Sequence, residues 1–333
     1  MSKILLAVPM EDGQSGKFIQ ETLLEMGHIV AIFDWRKFGS QFGQERLNKE
    51  FMDAHKELKP DLTIIIKGGG IEAATINKIK KTHKNPIVGW IFDVTLNGIY
   101  IKDIPRYIEF AKTLDIFFTI DAEAVTELKE LGVNCKWLPQ AFYEPQYKEQ
   151  VFNYIQKKRF GSDVAFIGTV GSFHPIRDKF LERLHHEGFN FKIYGEVLYE
   201  NGKEPDWVAE HHTGFAVKND MHSVVVGSSK IMIGLDGWPH RDKSYSLRLY
   251  KTLGAGGFYL MNHTKNVEEV FIPGVHLDTF ENEDEMVEQI IKYLNDDDLR
   301  EKIAKAGQKE VLKNHTQEVV MTKLLKDVLD LTE

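Results

Sequence analysis

Two cations stand close to the start of a short apolar-patterned helix in the stretch SLRLYKTLGAGGFYLMN, Ser246 to Asn262. Arg248 and Lys251 fall in the first turns, where unpaired backbone amides already place partial positive charge. Cations at that pole repel it unless a negative ligand lies between them, so the arrangement points to anion binding. With Ser244 as N-cap, the amides of Tyr245, Ser246 and Leu247 point outward, and Ser244, Arg248 and Lys251 follow one another at i, i+4 and i+7 on one face. That spacing suits a diphosphate. A solvated basic face closed by ordinary glycines is the plainer reading of the same residues. Leu247, Tyr250 and Leu253 are expected to face the core, Gly254 to end the helix, and Gly256 and Gly257 to let the next strand pass close.

A second stretch, FIGTVGSFHPIR, has related grammar: a strand, a glycine loop from Gly168 through Thr169 to Gly171, then Pro175 in the first turn of a helix. Arg177 again puts a cation at the amide pole. Near the N-terminus, EDGQSGKF sets Gly13 and Gly16 after the first strand, where backbone amides could approach an anion or substrate. It is no Walker A sequence, because Phe18 stands where a Ser or Thr metal ligand belongs, and the third glycine of a dinucleotide fingerprint is missing. Turn glycines explain Gly13 and Gly16 equally well. No metal site is expected. The NDDD run, Asn295 to Asp298, reads as helix capping, and the pairs His185-His186 and His211-His212 are adjacent rather than i, i+4 apart, so each pair reads as surface histidines.

The elements that must carry these residues are legible as a repeating alternation of short apolar runs and amphipathic stretches, the pattern of parallel sheets flanked by helices. Lys3 to Pro9, His28 to Asp34, Asp61 to Gly68, Pro86 to Asp93, Asp115 to Ile120 and Val133 to Pro139 are the expected strands of one half. The segment from Glu144 to Gly161 loses the period and reads as a connection. Asp163 to Gly168, Phe191 to Glu196, Lys230 to Asp236, Gly257 to Asn262 and Val275 to Phe280 are the expected strands of the other half. The tail is helical, with Gly307 as an interruption and His315-Thr316 as a break. The fold class is therefore α/β, two tandem doubly wound Rossmann-like domains with a ligand cleft between them at the strand C-termini. The expected division is 1–150 for the first domain and 160–315 for the second, with the last helix, 316–333, crossing back onto the first.

The chain has 333 residues, 42% hydrophobic and 28% charged, enough for two separate cores. A net charge of -8 without a polybasic tail argues against a sequence-independent duplex binder. The single cysteine, Cys135, has no partner for an internal disulfide, the opening MSKILLAVPM lacks a cleavage site, and no apolar run reaches the ~18 residues of a membrane span, so a cytoplasmic protein without integral membrane association is expected.

The segments DVAFIGTVGSFHPIRDKFLERL, FKIYGE, SSKIMIGLD, SLRLYKTLGAGGFYL and NVEEVFIPGVH, followed by DLREKIAKAGQKEVLKNHT, resemble in order and spacing the C-terminal domain of glycosyltransferases related to the spore maturation CgeB-like group. That domain is of the glycosyl transferases group 1 type, within the GT-B superfamily. In the first half, GWIFD, DAEAVTELKELG and KWLPQAF are similar more loosely. The resemblance implies a transferase that takes a sugar from a nucleoside diphosphate sugar, UDP-linked by analogy, to a hydroxyl acceptor. The donor would lie in the second domain, on Gly168, Thr169, Arg177, Gly195, Glu196, His240, Ser244, Tyr245, Ser246, Arg248 and Lys251. The acceptor would lie in the first, beside the loop of Gly13 and Gly16. Arg248 and the pair Gly256-Gly257 match the family's motif. Lys251 departs from it, standing where an acidic residue usually holds the ribose hydroxyls, and an ammonium can only donate. Either Glu268 or Glu269 takes that task or Lys251 binds phosphate.

Charge accumulating on a leaving diphosphate is met by amides and cations, so neither a metal nor any other cofactor is required. For inversion a general base is needed, with Asp93 at the end of GWIFD first and Asp12 second; both are equally readable as loop or cap carboxylates. Alternatively His240, in GWPHRDK, assists the leaving group from the donor side, and it reads equally simply as a loop histidine. The acceptor class stays open among a glycan, a protein, a small metabolite and a nucleic-acid base. Two other readings use the same fold: a nucleotide-sugar epimerase, and a non-catalytic nucleotide-sugar binding protein.

Overall fold

The computed structural model describes residues 1–10, 15–93, 103–150, 154–172, 174–200, 202–217 and 220–330. It divides into two compact units, Met1–Gln140 with Gln317–Glu333, and Ala141–Thr316.

In the first unit, β1 (Lys3–Ala7), β2 (Ile29–Phe33), β3 (Leu62–Ile66), β4 (Ile87–Ile91), β5 (Ile116–Thr119) and β6 (Cys135–Trp137) form one parallel sheet in the order β2-β1-β3-β4-β5-β6. Strands β3 and β4 are buried at every position, which is why they read as unbroken apolar runs rather than as alternation. Gly16 lies inside the helix Ser15–Glu25, and a Cβ there would come within 2.6 Å of the Pro9 carbonyl and 2.8 Å of Val8 Cγ2. Its smallness lets that helix close against the end of the first strand. The helix Gln317–Leu329 buries Val320, Met321, Leu324 and Val328 and packs on the helix Ser15–Glu25. Lys136 bonds to Asp327 at 2.7 Å, and Lys323 lies 5.3 Å from the Trp137 ring centre.

The second unit carries β7 (Val164–Ile167), the short β8 (Val170–Gly171), β9 (Phe191–Tyr194), the short β10 (Val197–Leu198), β11 (Ile231–Gly234), β12 (Tyr259–Asn262) and β13 (Asp278–Phe280). Five of them form a parallel sheet in the order β13-β12-β11-β7-β9, while β8 and β10 pair separately beyond its edge. Their hydrophobic faces meet in one core that includes Phe166, Leu181, Ile193, Ile233, Leu260 and Tyr293.

Three sequence expectations change. The segment after Glu144 is no unpatterned link: it holds the helices Glu144–Tyr147 and Tyr154–Phe160, and Tyr147 is buried. Gly307 does not interrupt the tail. It lies within the continuous helix Asp297–Asn314, against the His276 backbone and 3.0 Å, for an added Cβ, from Leu253 Cδ2. The helix carrying Arg248 begins later than expected, at Leu247, with Ser246 as N-cap.

Candidate active site

The carboxyl ends of β7, β11 and β12 converge with the start of the helix Leu247–Gly254. Arg248 is in that helix's first turn, its guanidinium carbon 4.9 Å from the Phe166 ring centre. A Cβ on Gly168 would come within 2.9 Å of Arg248 Nη2 and of Phe166 Cζ, so glycine lets the loop after β7 run close to both side chains without displacing them. Arg248 Nη1, Ser246 Oγ and Tyr259 Oη are buried together, with Arg248 and Ser246 both acting on the Tyr259 hydroxyl, yet none closes a well-formed hydrogen bond among the described residues. Buried polar groups are normally paired, so an under-satisfied cluster of this kind suits a polar ligand.

The late helix start has consequences. Ser244 and Tyr245 are buried at 6% and 3% exposure in the preceding loop, where the Tyr245 hydroxyl donates to the Asn266 carbonyl at 3.3 Å. Neither forms the outward seat expected of it. The Ser246 amide is also spent, donating to Asp236 Oδ2 at 3.4 Å. Asp236 is buried and held by reciprocal bonds with Asn262, its amide donating to Asn262 Oδ1 at 2.8 Å and its carbonyl accepting from Asn262 Nδ2 at 3.0 Å. Asp236 thus fixes the backbone of the N-cap residue Ser246, and the first turn that follows carries Arg248.

Lys251 is one turn further on, half-buried, with Nζ 4.2 Å from the Tyr147 ring centre. Burial first, and then Arg248, lower its pKa to about 8. His222 stands edge-on to Tyr147, and both its ring nitrogens are buried without a hydrogen-bond partner. Burial, Lys251 and Arg248 hold it well below the usual imidazole range. Arg248 therefore bears electrostatically on Lys251, one turn away, while Ser244 is buried in the preceding loop.

Arg177 is buried and committed to backbone: Nε donates to the Leu235 carbonyl at 3.0 Å and Nη1 to the Thr169 carbonyl at 2.8 Å. It ties the loop after β7 to the end of β11. Gly195, with φ of 154°, lies against the Gly168 backbone, and the carbonyl of the exposed Glu196 accepts from the Val170 amide at 3.0 Å, so both serve loop packing. His240 is exposed and lines a cavity of about 550 Å³ together with Asn262, His263, Lys265 and Glu268. Glu268 bonds His263 at 2.7 Å there, whereas Glu269 is paired with Lys243 at 2.6 Å.

Sequence reasoning passed over His174, the N-cap of the helix Pro175–His186. Burial, then the charges of Arg177 and Arg248, lower its pKa to about 4, which keeps the imidazole neutral. Its place just before Pro175 in the glycine loop was the available signal. Phe166, Asp236 and Tyr259 were also missed, since each looks like ordinary strand sequence.

In the first unit Asp93 follows β4 and pairs with Lys67, which follows β3, at 2.9 Å. Lys67 has a φ of 63° and opens a run of three glycines, a loop at the strand rim that the sequence reading did not single out. The buried Tyr107 hydroxyl is pushed up by burial and then by Asp93. Asp12 and Gly13 lie outside the described residues.

Two tandem parallel-sheet units of this kind define the GT-B fold of glycosyltransferases. HepE of Anabaena in complex with UDP-glucose superposes with a TM-score of 0.72 at 12% identity, over 99% of this chain and 100% of that one. Sucrose-phosphate synthase from Thermosynechococcus elongatus gives 0.72 at 10% identity, over 99% and 100%. A glycosyltransferase from Rickettsia africae gives 0.69 at 10%, over 99% and 98%. Residues 177–326 match the family described as glycosyl transferase-like. No curated protein matches by sequence. Residues 177–326, most of the second unit and part of the last helix, are thus similar to a glycosyl transferase-like family, and the chain has a GT-B fold. Among the described residues no helix is long and apolar enough to cross a membrane.

Proposed function

We propose that this protein transfers a sugar from a UDP-linked donor to a hydroxyl acceptor, with the donor held by the second unit and the acceptor by the first. Within the GT-B class the order of its segments supports a place near the CgeB-like group, and its lone buried cysteine accords with a cytoplasmic enzyme. The observation that carries the reading is the under-satisfied polar cluster of Arg248, Ser246 and Tyr259 at the start of the helix Leu247–Gly254.

In this reading the diphosphate lies against Arg248, with Lys251 supplying further positive charge. As the bond from the anomeric carbon to phosphate oxygen breaks, the electron pair goes to the diphosphate, and cations already in place stabilise it more than they stabilise the intact donor. Neutralisation by Arg248, Lys251 and helix amides makes a metal unnecessary for this step. In an inverting reaction the acceptor proton passes to Asp93, whose partner Lys67 orients it. Arg177 is a positioning residue, and Glu268, which lines the cavity with His240, takes the place of the family's ribose-binding carboxylate.

Calorimetric titration of UDP and UDP-glucose into wild type and Arg248→Ala tests the seat, with binding expected for the first and loss for the second. Mass spectrometry then separates outcomes. UDP released only when an acceptor is added supports transfer; an isomerised donor indicates an epimerase, and binding without turnover indicates a binding module.

A further inference from the structure

The two adjacent histidine pairs were set aside singly, but folding brings one member of each together. His185 is in the last turn of the helix Pro175–His186, and His211 ends the helix Asp206–His211. His185 Nδ1 and His211 Nε2 are 3.1 Å apart, and Glu210 Oε2 is 3.7 Å from His185 Nδ1. One ligand atom from each of the three residues falls within 4.8 Å of the others. The His211 ring stacks on Phe191, centroids 3.8 Å apart, and its Nδ1 is 3.2 Å from the Phe191 carbonyl. A carbonyl only accepts, so Nδ1 carries the proton and Nε2 presents its lone pair to His185. A carbonyl behind the ring, fixing tautomer and aim, is the usual outer support of a metal-bound histidine.

We propose that His185 Nδ1, His211 Nε2 and Glu210 bind a divalent transition metal, zinc best of all. Two nitrogens 3.1 Å apart, each about 2.0–2.1 Å from zinc, subtend an angle of about 95–102°, which a separation a few tenths of an ångström wider opens to the tetrahedral value. Two imidazoles and one carboxylate leave a fourth position to water at this surface, where the Glu210 side chain is 64% exposed. The ion would staple two helix ends that flank β9. It is separate from the proposed reaction: His174 caps the opposite end of the same helix, roughly 16 Å away at 1.5 Å per residue. A direct hydrogen bond between the two imidazoles needs the same approach but neither Glu210 nor a metal.

The full-length chain, stripped with EDTA, is titrated with zinc chloride by calorimetry and with cobalt chloride by visible absorption. One equivalent of zinc is expected to bind and raise the thermal midpoint, and cobalt to show the intense d–d bands of a four-coordinate site. His185→Gln, a change at a half-exposed position, should abolish saturable binding, Glu210→Gln should weaken it about tenfold or more, and His186→Gln should leave it intact. Absence of a one-equivalent site in wild type, or unchanged binding in His185→Gln, overturns the proposal.

Discussion

Arg248 is the side chain on which the proposed donor seat turns, because its guanidinium carbon lies 4.9 Å from the Phe166 ring centre and Nη1 is buried without a well-formed hydrogen bond. A charged hydrogen bond of this kind is worth about 1.5–3 kcal/mol, so Arg248→Ala should weaken donor binding by about 10- to 100-fold, read by calorimetry. Lys251 adds a pH dependence. It is protonated below its lowered pKa of about 8 and neutral above it, so donor affinity should fall as pH rises through that value and should stay flat in Lys251→Met. The effect on stability has the opposite sense. Between about 8 and the ordinary 10.5 the unfolded chain holds a proton that the folded chain has lost, so this group's contribution to stability rises with pH across that window. Lys251→Met should therefore melt higher at neutral pH while binding donor less well. His174, lowered to about 4 by burial and two arginines, should regain basicity when a diphosphate offsets those charges. Donor binding near pH 5, roughly midway between its folded and ordinary values, should take up a proton that His174→Asn does not, seen as buffer-dependent binding enthalpy.

At the scale of elements, the loops at the rim are held by close approaches and by charges spent on backbone. Arg177→Ala leaves the Leu235 and Thr169 carbonyls without their donors and should cost about 2–3 kcal/mol in a denaturant titration, with more loss of stability than of donor chemistry. In the helix Asp297–Asn314, Gly307→Ala gains about 1 kcal/mol of helix propensity in isolation. Here the added Cβ would press on the His276 backbone and on Leu253. The thermal midpoint should fall; a rise would show that the helix has room to shift.

For the whole molecule, the last helix belongs by its contacts to the first unit although the chain reaches it from the second. Removing residues after Thr316 strips Val320, Met321, Leu324 and Val328 from the helix Ser15–Glu25 and breaks the bond between Lys136 and Asp327. Calorimetry of the truncated chain should show the transition of the first unit displaced to lower temperature and that of the second retained.

The sheets were legible before folding was considered, because parallel strands buried on both faces must be apolar at nearly every position. β3, β4 and β11 announce themselves in this way. The place of Arg248 in a helix's first turn was legible too, because a cation at an amide pole is a local conflict visible within a few residues. The short pair β8 and β10 escaped, having only two residues each and no period to read. The helix cap was misplaced by two residues because the group that receives the Ser246 amide is the Asp236 carboxylate, ten positions away and fixed by Asn262 from another strand. His174 reached its two arginines, and His185 reached His211, only through the packing of separate helices and loops. Sequence determined the local choices, strand or helix and where charge conflicts arise, since these depend on neighbours along the chain. Tertiary structure alone decided which distant partners satisfy or leave open each polar group, because desolvation and hydrogen bonding are properties of neighbours in space.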